Sequence, residues 1–226
     1  MSEMVGLALP EWEHQYRIVA AEYPPINFFE TLVAPDLMEE LFFIESLTND
    51  RLRDEVGEIT LVALEDRVSG PGSSPVMAAF THVGVGSRFS DGSFGIYYAG
   101  ESLTTAIEET KFHRERFLGY TKEAPGEIDM RSYVGEVVQP LHDIRIGYDG
   151  LHDPDTSTWS VSQVFGQEMR KNNSWGIVYR SVRNSGGECI AILRPPAVTI
   201  PRQGPHLSYV WDGSRITSVY EKKLIL

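Results

Sequence analysis

The alternation of apolar and polar positions predicts a protein built largely from short strands. In the first third of the chain, the run YRIVA at 16–20 has the apolar and β-branched content of a strand. Two more strands are predicted at 59–64 and 76–83, and the sequence SGPGSS at 69–74 separates them as a surface loop. The pattern of this part of the chain therefore favours a sheet.

Later in the chain, glycine-containing turns separate the remaining strand candidates. Each candidate is a run of apolar residues that ends at a tight turn, which is typical of neighbouring antiparallel strands. They are 94–99 after the turn at Asp91-Gly92, 176–182 and 188–195 on either side of Gly186-Gly187, and a hairpin over 206–220 that turns at Asp212-Gly213.

Three segments instead repeat apolar residues with the period of a helix. The first covers 35–47, the second begins after Ser102, a typical N-cap residue, and the third covers 160–171. The residues predicted to face inward are Leu37, Leu41 and Ile44 in the first helix, Leu103, Ala106, Ile107, Thr110 and Phe117 in the second, and Val161, Val164, Phe165 and Met169 in the third.

Together these elements predict an α+β fold in a single domain, with a bent, mostly antiparallel sheet and flanking helices. With 226 residues, of which 42% are hydrophobic, the chain can bury about 70% of the surface of its unfolded form. We therefore expect residues 1–226 to form one domain, with 14–75 as an N-terminal elaboration packed on the core.

The charge of the chain limits its partners. The formal net charge is −12 at pH 7, so the surface repels nucleic acid and anionic membranes, and direct binding to either is not expected. The single cysteine, Cys189, cannot form a disulfide within the chain, and the first residues lack the basic and apolar regions of a signal peptide. We expect a cytoplasmic protein.

Several familiar kinds of active site are not predicted. The six histidines form no HExxH pattern, and one cysteine cannot build a thiolate cage, so no metal is expected. Gly84-Val85-Gly86 begins like a dinucleotide-binding fingerprint, but Phe89 stands where the third glycine belongs. Ser181 lacks the surrounding glycines of a nucleophile elbow, and a serine at the end of a strand more often bonds a turn.

The segment 86–116 combines residue types that suit a nucleotide pocket. Arg88 precedes a Gly-rich turn, Tyr98 lies on the following strand, and Glu108 and Glu109 lie on the next helix. By helical angle, Glu109 flanks the apolar stripe and Glu108 points nearly away from it. An arginine fork, an aromatic face and a carboxylate can hold a phosphate-bearing nucleotide and strain a glycosidic bond. The alternative is that these charged residues make only surface ion pairs.

The order of these residues resembles that of the RES domain, a family named for its arginine, glutamate and serine. Arg88, Tyr98 and Glu109 are followed much later by Val-Tyr-Arg-Ser at 178–181, and Tyr16-Arg17-Ile18 resembles the start of that domain. The resemblance covers most of the chain. The departures, which suggest a longer subgroup, are Phe89 in place of a tryptophan, Arg180 in place of a proline, and an extended stretch between Arg17 and Val76.

The resemblance implies a fold similar to that of ADP-ribosyltransferases and a role as the toxin of a bacterial toxin–antitoxin pair. The implied antitoxin is an Xre-like helix-turn-helix protein. Members of the family stop growth by destroying NAD+ through hydrolysis or phosphorolysis, and some transfer ADP-ribose to a protein instead. NAD+ would then be a substrate, and no prosthetic group is implied. The alternative outside enzymes is a non-catalytic protein that senses an adenine nucleotide.

Residue roles follow from the same resemblance. Glu109 and Ser181 are the implied catalytic residues, because a carboxylate can stabilise positive charge on the ribose and a hydroxyl can orient the ribose or the carboxamide. The implied substrate contacts are a two-point grip of Arg88 on the pyrophosphate, stacking of Tyr98 on the nicotinamide ring, and further phosphate contacts from Arg17 and Arg51.

Overall fold

The computed structural model describes residues 5–21, 57–223 and 225. They form an α+β fold, with a single mixed sheet of nine strands and three α-helices. The strands are β1 Leu7–Ala8, β2 Gln15–Ala20, β3 Tyr97–Gly100, β4 Gly126–Gly135, β5 Leu141–Asp143, β6 Gly176–Arg180, β7 Glu188–Ile192, β8 Arg202–Trp211 and β9 Ile216–Lys222. The helices are α1 Ser74–Thr81, α2 Leu103–Thr121 and α3 Trp159–Lys171.

The sheet runs in the order β1-β5-β6-β7-β3-β2-β4-β8-β9. Its neighbouring strands are antiparallel except for β5 and β6, which are parallel. The predicted hairpin forms between β8 and β9, and Gly213 in its turn has a φ of +98°, which glycine adopts without strain. The α+β architecture with a mostly antiparallel sheet is therefore confirmed.

The pairing between β2 and β3 is short, and this opens the centre of the sheet. These two strands pair only at Tyr16 and Gly100. By contrast, β2 pairs with β4 along its whole length, and β3 pairs with β7 along all of its residues. Beyond their one pair, β2 and β3 diverge and leave a gap. Helix α2 packs against both strands. It can begin close to β3 because Gly100 has no side chain: a Cβ there would lie only 2.9 Å from the Ala106 nitrogen.

Helix α2 begins where the sequence predicts. Ser102 Oγ accepts a hydrogen bond from the Thr105 N–H at 3.1 Å, as an N-cap does. Phe117 was predicted to face inward but is 50% exposed, and Leu118 takes the buried position instead. The reason is the placement of the β8–β9 hairpin, which packs Trp211 against the Leu118 side of the helix.

Two predicted strands, 59–64 and 76–83, are wrong. Residues 59–66 form two short 3-10 turns, and 74–81 form α1. This helix begins at Ser74-Pro75, where the fixed φ of proline favours a first helical turn. The spacing of its buried apolar residues is compatible with a helix or a strand, so packing against the sheet decides between them. Those residues are Val76, Met77 and Phe80.

Helix α3 faces the core with two of the four residues predicted to face inward, Phe165 and Met169, and otherwise with residues that were not predicted. Met169 is buried, but Val161 and Val164 are each 58% exposed. The buried face consists of Trp159, Ser162, Gly166 and Met169. A small residue is required at its centre, because a Cβ on Gly166 would lie 2.0 Å from the carbonyl oxygen of Phe89. The helix backbone therefore lies directly against the loop that carries Arg88.

The predicted division into a core and an elaboration at 14–75 stays a prediction. Much of that stretch, including the helix predicted at 35–47, lies outside the described residues. Within the described part, β2 occupies the middle of the sheet, and Ile59 is buried in the core. Asp66 accepts two hydrogen bonds from the Arg194 guanidinium, each 2.7 Å long, which join the segment before α1 to the end of β7.

Candidate active site

A cavity of about 310 Å³ lies in the gap between β2 and β3. This volume is within the range of small-molecule sites. Four of the residues predicted from the sequence line it, namely Arg17, Arg88, Tyr98 and Glu109. Ser181 contacts Glu109 from the turn after β6, and Arg51 lies outside the described residues.

Glu109 is held in position by Ser181. The Ser181 hydroxyl donates a hydrogen bond to Glu109 Oε1 at 2.6 Å, and the Cys189 Sγ lies 3.8 Å from the same oxygen. Burial raises the pKa of the Cys189 thiol well above its usual value, so this group stays protonated. Because both contacts are to Oε1, Oε2 is the oxygen left for a ligand. Glu108 instead forms an ion pair with Lys111 at 3.1 Å.

Ser181 also organises the turn that follows β6. Its Oγ accepts hydrogen bonds from the backbone N–H groups of Arg183 at 3.2 Å and Asn184 at 2.9 Å. Its own N–H donates to the carbonyl oxygen of Gly187 at 2.8 Å. One hydroxyl therefore joins this turn to α2 through Glu109. Such a bonding pattern suits a residue that positions the carboxylate.

Arg88 is fixed by the turn at 149–153. The residue is 7% exposed, and its Nη1 donates to the carbonyl oxygens of Leu151 and Asp153 at 3.0 Å each. Both protons of Nη1 are used in these bonds, so a ligand in the cavity would be held through Nε and Nη2. The sequence pattern indicates the arginine but not these two structural contacts.

Tyr98 fixes the loop that carries Arg88. Its hydroxyl accepts a hydrogen bond from the N–H of Phe89 at 3.1 Å and lies 2.9 Å from the Ser87 Oγ. Burial raises the pKa of Tyr98 to about 12, so the hydroxyl is protonated at neutral pH. Its ring lines the cavity next to Arg88.

Arg17 spans the gap between the two central strands. Its Nη1 donates to the carbonyl oxygen of Tyr98 at 3.1 Å, and its guanidinium carbon lies 4.6 Å from the ring centroid of Tyr97. Burial lowers the pKa of Arg17, although an arginine remains charged at neutral pH. Its Nε is buried and finds no acceptor among the described residues. A buried cation with an unsatisfied donor favours an anionic ligand nearby.

Several further cavity residues are not indicated as site residues by the sequence pattern: Phe112, His113, Trp159 and Arg183. Phe112 and His113 lie one helical turn after Glu109, so helical spacing is a signal that could have found them. Arg183 belongs to the same turn as Ser181, and its guanidinium carbon lies 3.4 Å from the centroid of the Phe112 ring. Trp159 reaches the cavity only because α3 packs against the Arg88 loop.

His113 lines the cavity and keeps part of its side chain exposed. Partial burial of its ring beside Phe112 and Trp159, and then the positive charges of Arg116 and Arg183, lower its pKa to about 4. The imidazole is therefore neutral at pH 7.

The cavity is positively charged although the protein is strongly acidic. Among the described residues that line it, Arg17, Arg88 and Arg183 are cationic, and Glu109 is the one acidic residue. None of these arginines forms an ion pair with a carboxylate in the described part of the chain, whereas Arg194 does. In a chain with 32 acidic and 20 basic residues, three unpaired arginines around one cavity favour an anionic ligand.

No group of three or more side chains in the described ranges could hold a metal ion. No helix in those ranges is both long and apolar enough to cross a membrane.

Comparison with known proteins places the chain in a family. An uncharacterized protein, y4oC, of Sinorhizobium fredii (strain NBRC 101917 / NGR234) is 31% identical over 206 residues, which cover 91% of this chain and 86% of that protein. A chain in the crystal structure of the M. tuberculosis MbcT–MbcA toxin–antitoxin complex aligns with a TM-score of 0.46 and 13% identity, over 92% of this chain and 88% of that chain. The family model of the RES domain matches residues 65–212, more than half of the chain, so this protein belongs to the RES domain family.

Proposed function

We propose that this protein is the toxin of a toxin–antitoxin module and that it cleaves the bond between nicotinamide and ribose in NAD+. Membership of the RES family is the basis for the toxin role. Cleavage is supported by one observation above all: a carboxylate, Glu109, is fixed by Ser181 in a cavity whose other charged groups are unpaired arginines. A substrate with both a pyrophosphate and a glycosidic bond matches this combination.

The proposed cleavage needs one carboxylate and no proton donor. Nicotinamide leaves the cationic pyridinium nucleotide as a neutral molecule, so the leaving group takes no proton. Positive charge builds on the ribose as the bond breaks, and Glu109 Oε2 would stabilise that charge or hold the 2'-hydroxyl. His113, with a pKa of about 4, is neutral and does not repel the cationic ring.

The remaining cavity residues would position the substrate. Tyr98 presents an aromatic ring, and an aromatic face attracts a cationic ring such as nicotinamide. Arg88 would hold the pyrophosphate through its Nε and Nη2 edge, with Arg183 as the second guanidinium. Arg17 would complete the positive field around the phosphates.

The acceptor of the ribosyl group separates three versions of this reaction. Purified protein given NAD+ alone is expected to release nicotinamide and ADP-ribose. A requirement for inorganic phosphate would indicate phosphorolysis, and a requirement for a protein acceptor would indicate ADP-ribosyl transfer. Binding of NAD+ without release of nicotinamide under all three conditions would contradict cleavage and favour a nucleotide-sensing protein.

The toxin role predicts a partner. This chain is too acidic to bind DNA, so we expect repression and neutralisation to reside on an Xre-like DNA-binding antitoxin encoded beside it. Expression of this protein alone is expected to stop growth and deplete NAD+, and co-expression of the neighbouring gene is expected to restore both. Normal growth and normal NAD+ in cells that contain abundant folded protein would contradict the toxin role.

Replacing Arg88 with lysine should weaken the binding of NAD+, because an ammonium group cannot reproduce a planar two-point grip. We expect the KM for NAD+ to rise about tenfold or more in Arg88→Lys, with no rescue relative to Arg88→Ala. Arg180→Lys is a matched control, since Arg180 pairs with Asp149 in the turn that Arg88 also contacts. A KM for Arg88→Lys within about twofold of the wild-type value would show that the two-point contact does not form.

A further inference from the structure

The cavity continues into a strip of aromatic and arginine side chains on α2 and the start of α3. We call this the aromatic strip, and its members are Phe112, Arg116, Tyr120 and Trp159. Phe112 and Trp159 also line the cavity, whereas Arg116 and Tyr120 extend the strip beyond the cavity lining. The aromatic strip is therefore continuous with the proposed reaction site.

Arg116 lies at the centre of the aromatic strip. Its guanidinium carbon is 5.7 Å from the ring centroid of Phe112, 5.9 Å from that of Tyr120 and 5.6 Å from that of Trp159. In the described part of the chain, no carboxylate forms an ion pair with it. Carboxylates outnumber basic groups in this protein, so a cation held by rings alone is unexpected. Such a guanidinium keeps its donors available to a ligand.

Trp159, in the same strip, has a buried donor without a partner among the described residues. It is 9% exposed, and its buried indole N–H finds no hydrogen-bond acceptor among the described residues. A buried donor without an acceptor is uncommon in proteins and is usually satisfied by water or a ligand. Trp159 also lines the cavity.

The outer end of the aromatic strip is open to solvent. Tyr120 is 77% exposed and lies about 16 Å from Glu109 along the axis of α2. An exposed ring beside a guanidinium is a typical surface for stacking a nucleotide base. Arg183 lies between the proposed reaction site and the aromatic strip. It stacks on Phe112, and it is close enough to Glu109 and Arg116 for their charges to affect its pKa.

We propose that the aromatic strip binds the purine nucleotide half of a dinucleotide, the half that the reaction does not cleave. The proposal rests on the proposed function only in taking the other half of the dinucleotide to be the nicotinamide nucleotide. Arg183 would hold the phosphates that join the two halves, and Arg116 and Tyr120 would hold the purine base. The strip would therefore make the protein prefer dinucleotides to mononucleotides.

Kinetics with a truncated substrate test this proposal. Arg116→Ala and Tyr120→Ala are each expected to raise the KM for NAD+ about tenfold, and to change the KM for nicotinamide mononucleotide, which lacks the purine half, by less than about twofold. Arg116→Lys should not restore the NAD+ value, because an ammonium group offers no planar face. Arg215→Ala and Tyr220→Ala are controls at exposed positions on the β8–β9 hairpin. Equal losses with both substrates would overturn the proposal.

Direct binding of AMP separates this proposal from cleavage. By calorimetry, we expect the Kd for AMP to rise about tenfold in Arg116→Ala and to stay unchanged in Glu109→Gln. If AMP binding changes in this way but the protein does not cleave NAD+, the role of the aromatic strip is supported and only the proposed cleavage is contradicted. Cleavage of NAD+ together with AMP binding that Arg116→Ala does not weaken would overturn the aromatic strip alone.

Discussion

Glu109→Gln is expected to lower the rate of NAD+ cleavage about 100-fold or more, which is the scale of losing a preorganised contact to the transition state. The amide has nearly the size of the carboxylate and can still accept the 2.6 Å hydrogen bond from Ser181. The substitution therefore removes the charge and leaves the surrounding contacts in place. Because that charge acts on the positive ribose as the bond breaks, the loss should appear in kcat more than in KM. Nicotinamide release over time measures it.

Glu108→Gln is the matched control for this prediction. Glu108 is the preceding residue on the same helix and pairs with Lys111 at 3.1 Å, away from the cavity lining. This pair is half-exposed and lies outside the cavity lining, so NAD+ cleavage should stay near the wild-type rate. Similar losses in the two variants would refute the assignment of Glu109 as the reacting carboxylate. Glu109→Ala should give a loss at least as large as Glu109→Gln.

Gly166→Ala is expected to lower the free energy of unfolding by about 3 kcal/mol, because the added methyl group has no space. A Cβ at this position would lie 2.0 Å from the carbonyl oxygen of Phe89 and 2.8 Å from its carbonyl carbon. Both atoms belong to the backbone, so a side-chain rotation cannot relieve the contact. Helix α3 would have to move away from the Arg88 loop. Equilibrium unfolding in denaturant measures the change.

Gly119→Ala is the matched control, since Gly119 is also a glycine within a helix. Nothing lies within 4 Å of a Cβ built there, and the residue is exposed near the end of α2. Alanine is the better helix former, so this variant should be more stable by roughly 0.5–1 kcal/mol. Destabilisation of Gly166→Ala by less than about 1 kcal/mol would mean that α3 does not pack as closely on the loop as its backbone positions indicate.

The order of Arg88, Tyr98, Glu109 and Ser181 along the chain is enough to indicate the family and the elements that carry these residues. Tyr98 lies on a strand, Glu109 on one face of a helix and Ser181 directly after a strand, where local pattern is informative, whereas Arg88 lies in a loop. The same pattern cannot indicate that Ser181 contacts Glu109, because 72 residues separate them. It also cannot show that Arg88 uses one nitrogen to hold the turn at 149–153.

By itself the sequence determined the features that depend on neighbouring residues. The N-cap at Ser102 and the hairpin turn at Asp212-Gly213 arise from interactions within a few positions. The net charge of −12 is likewise a property of the sequence alone.

Only the tertiary structure decided which faces are buried and which residues meet. Packing against the sheet made 74–81 a helix, and contact between Gly166 and Phe89 turned Val161 and Val164 outward. The short pairing of β2 and β3 created the cavity, and the packing of α3 then brought Trp159 to it. These outcomes depend on backbone approach between segments far apart in the chain, which apolar periodicity does not encode.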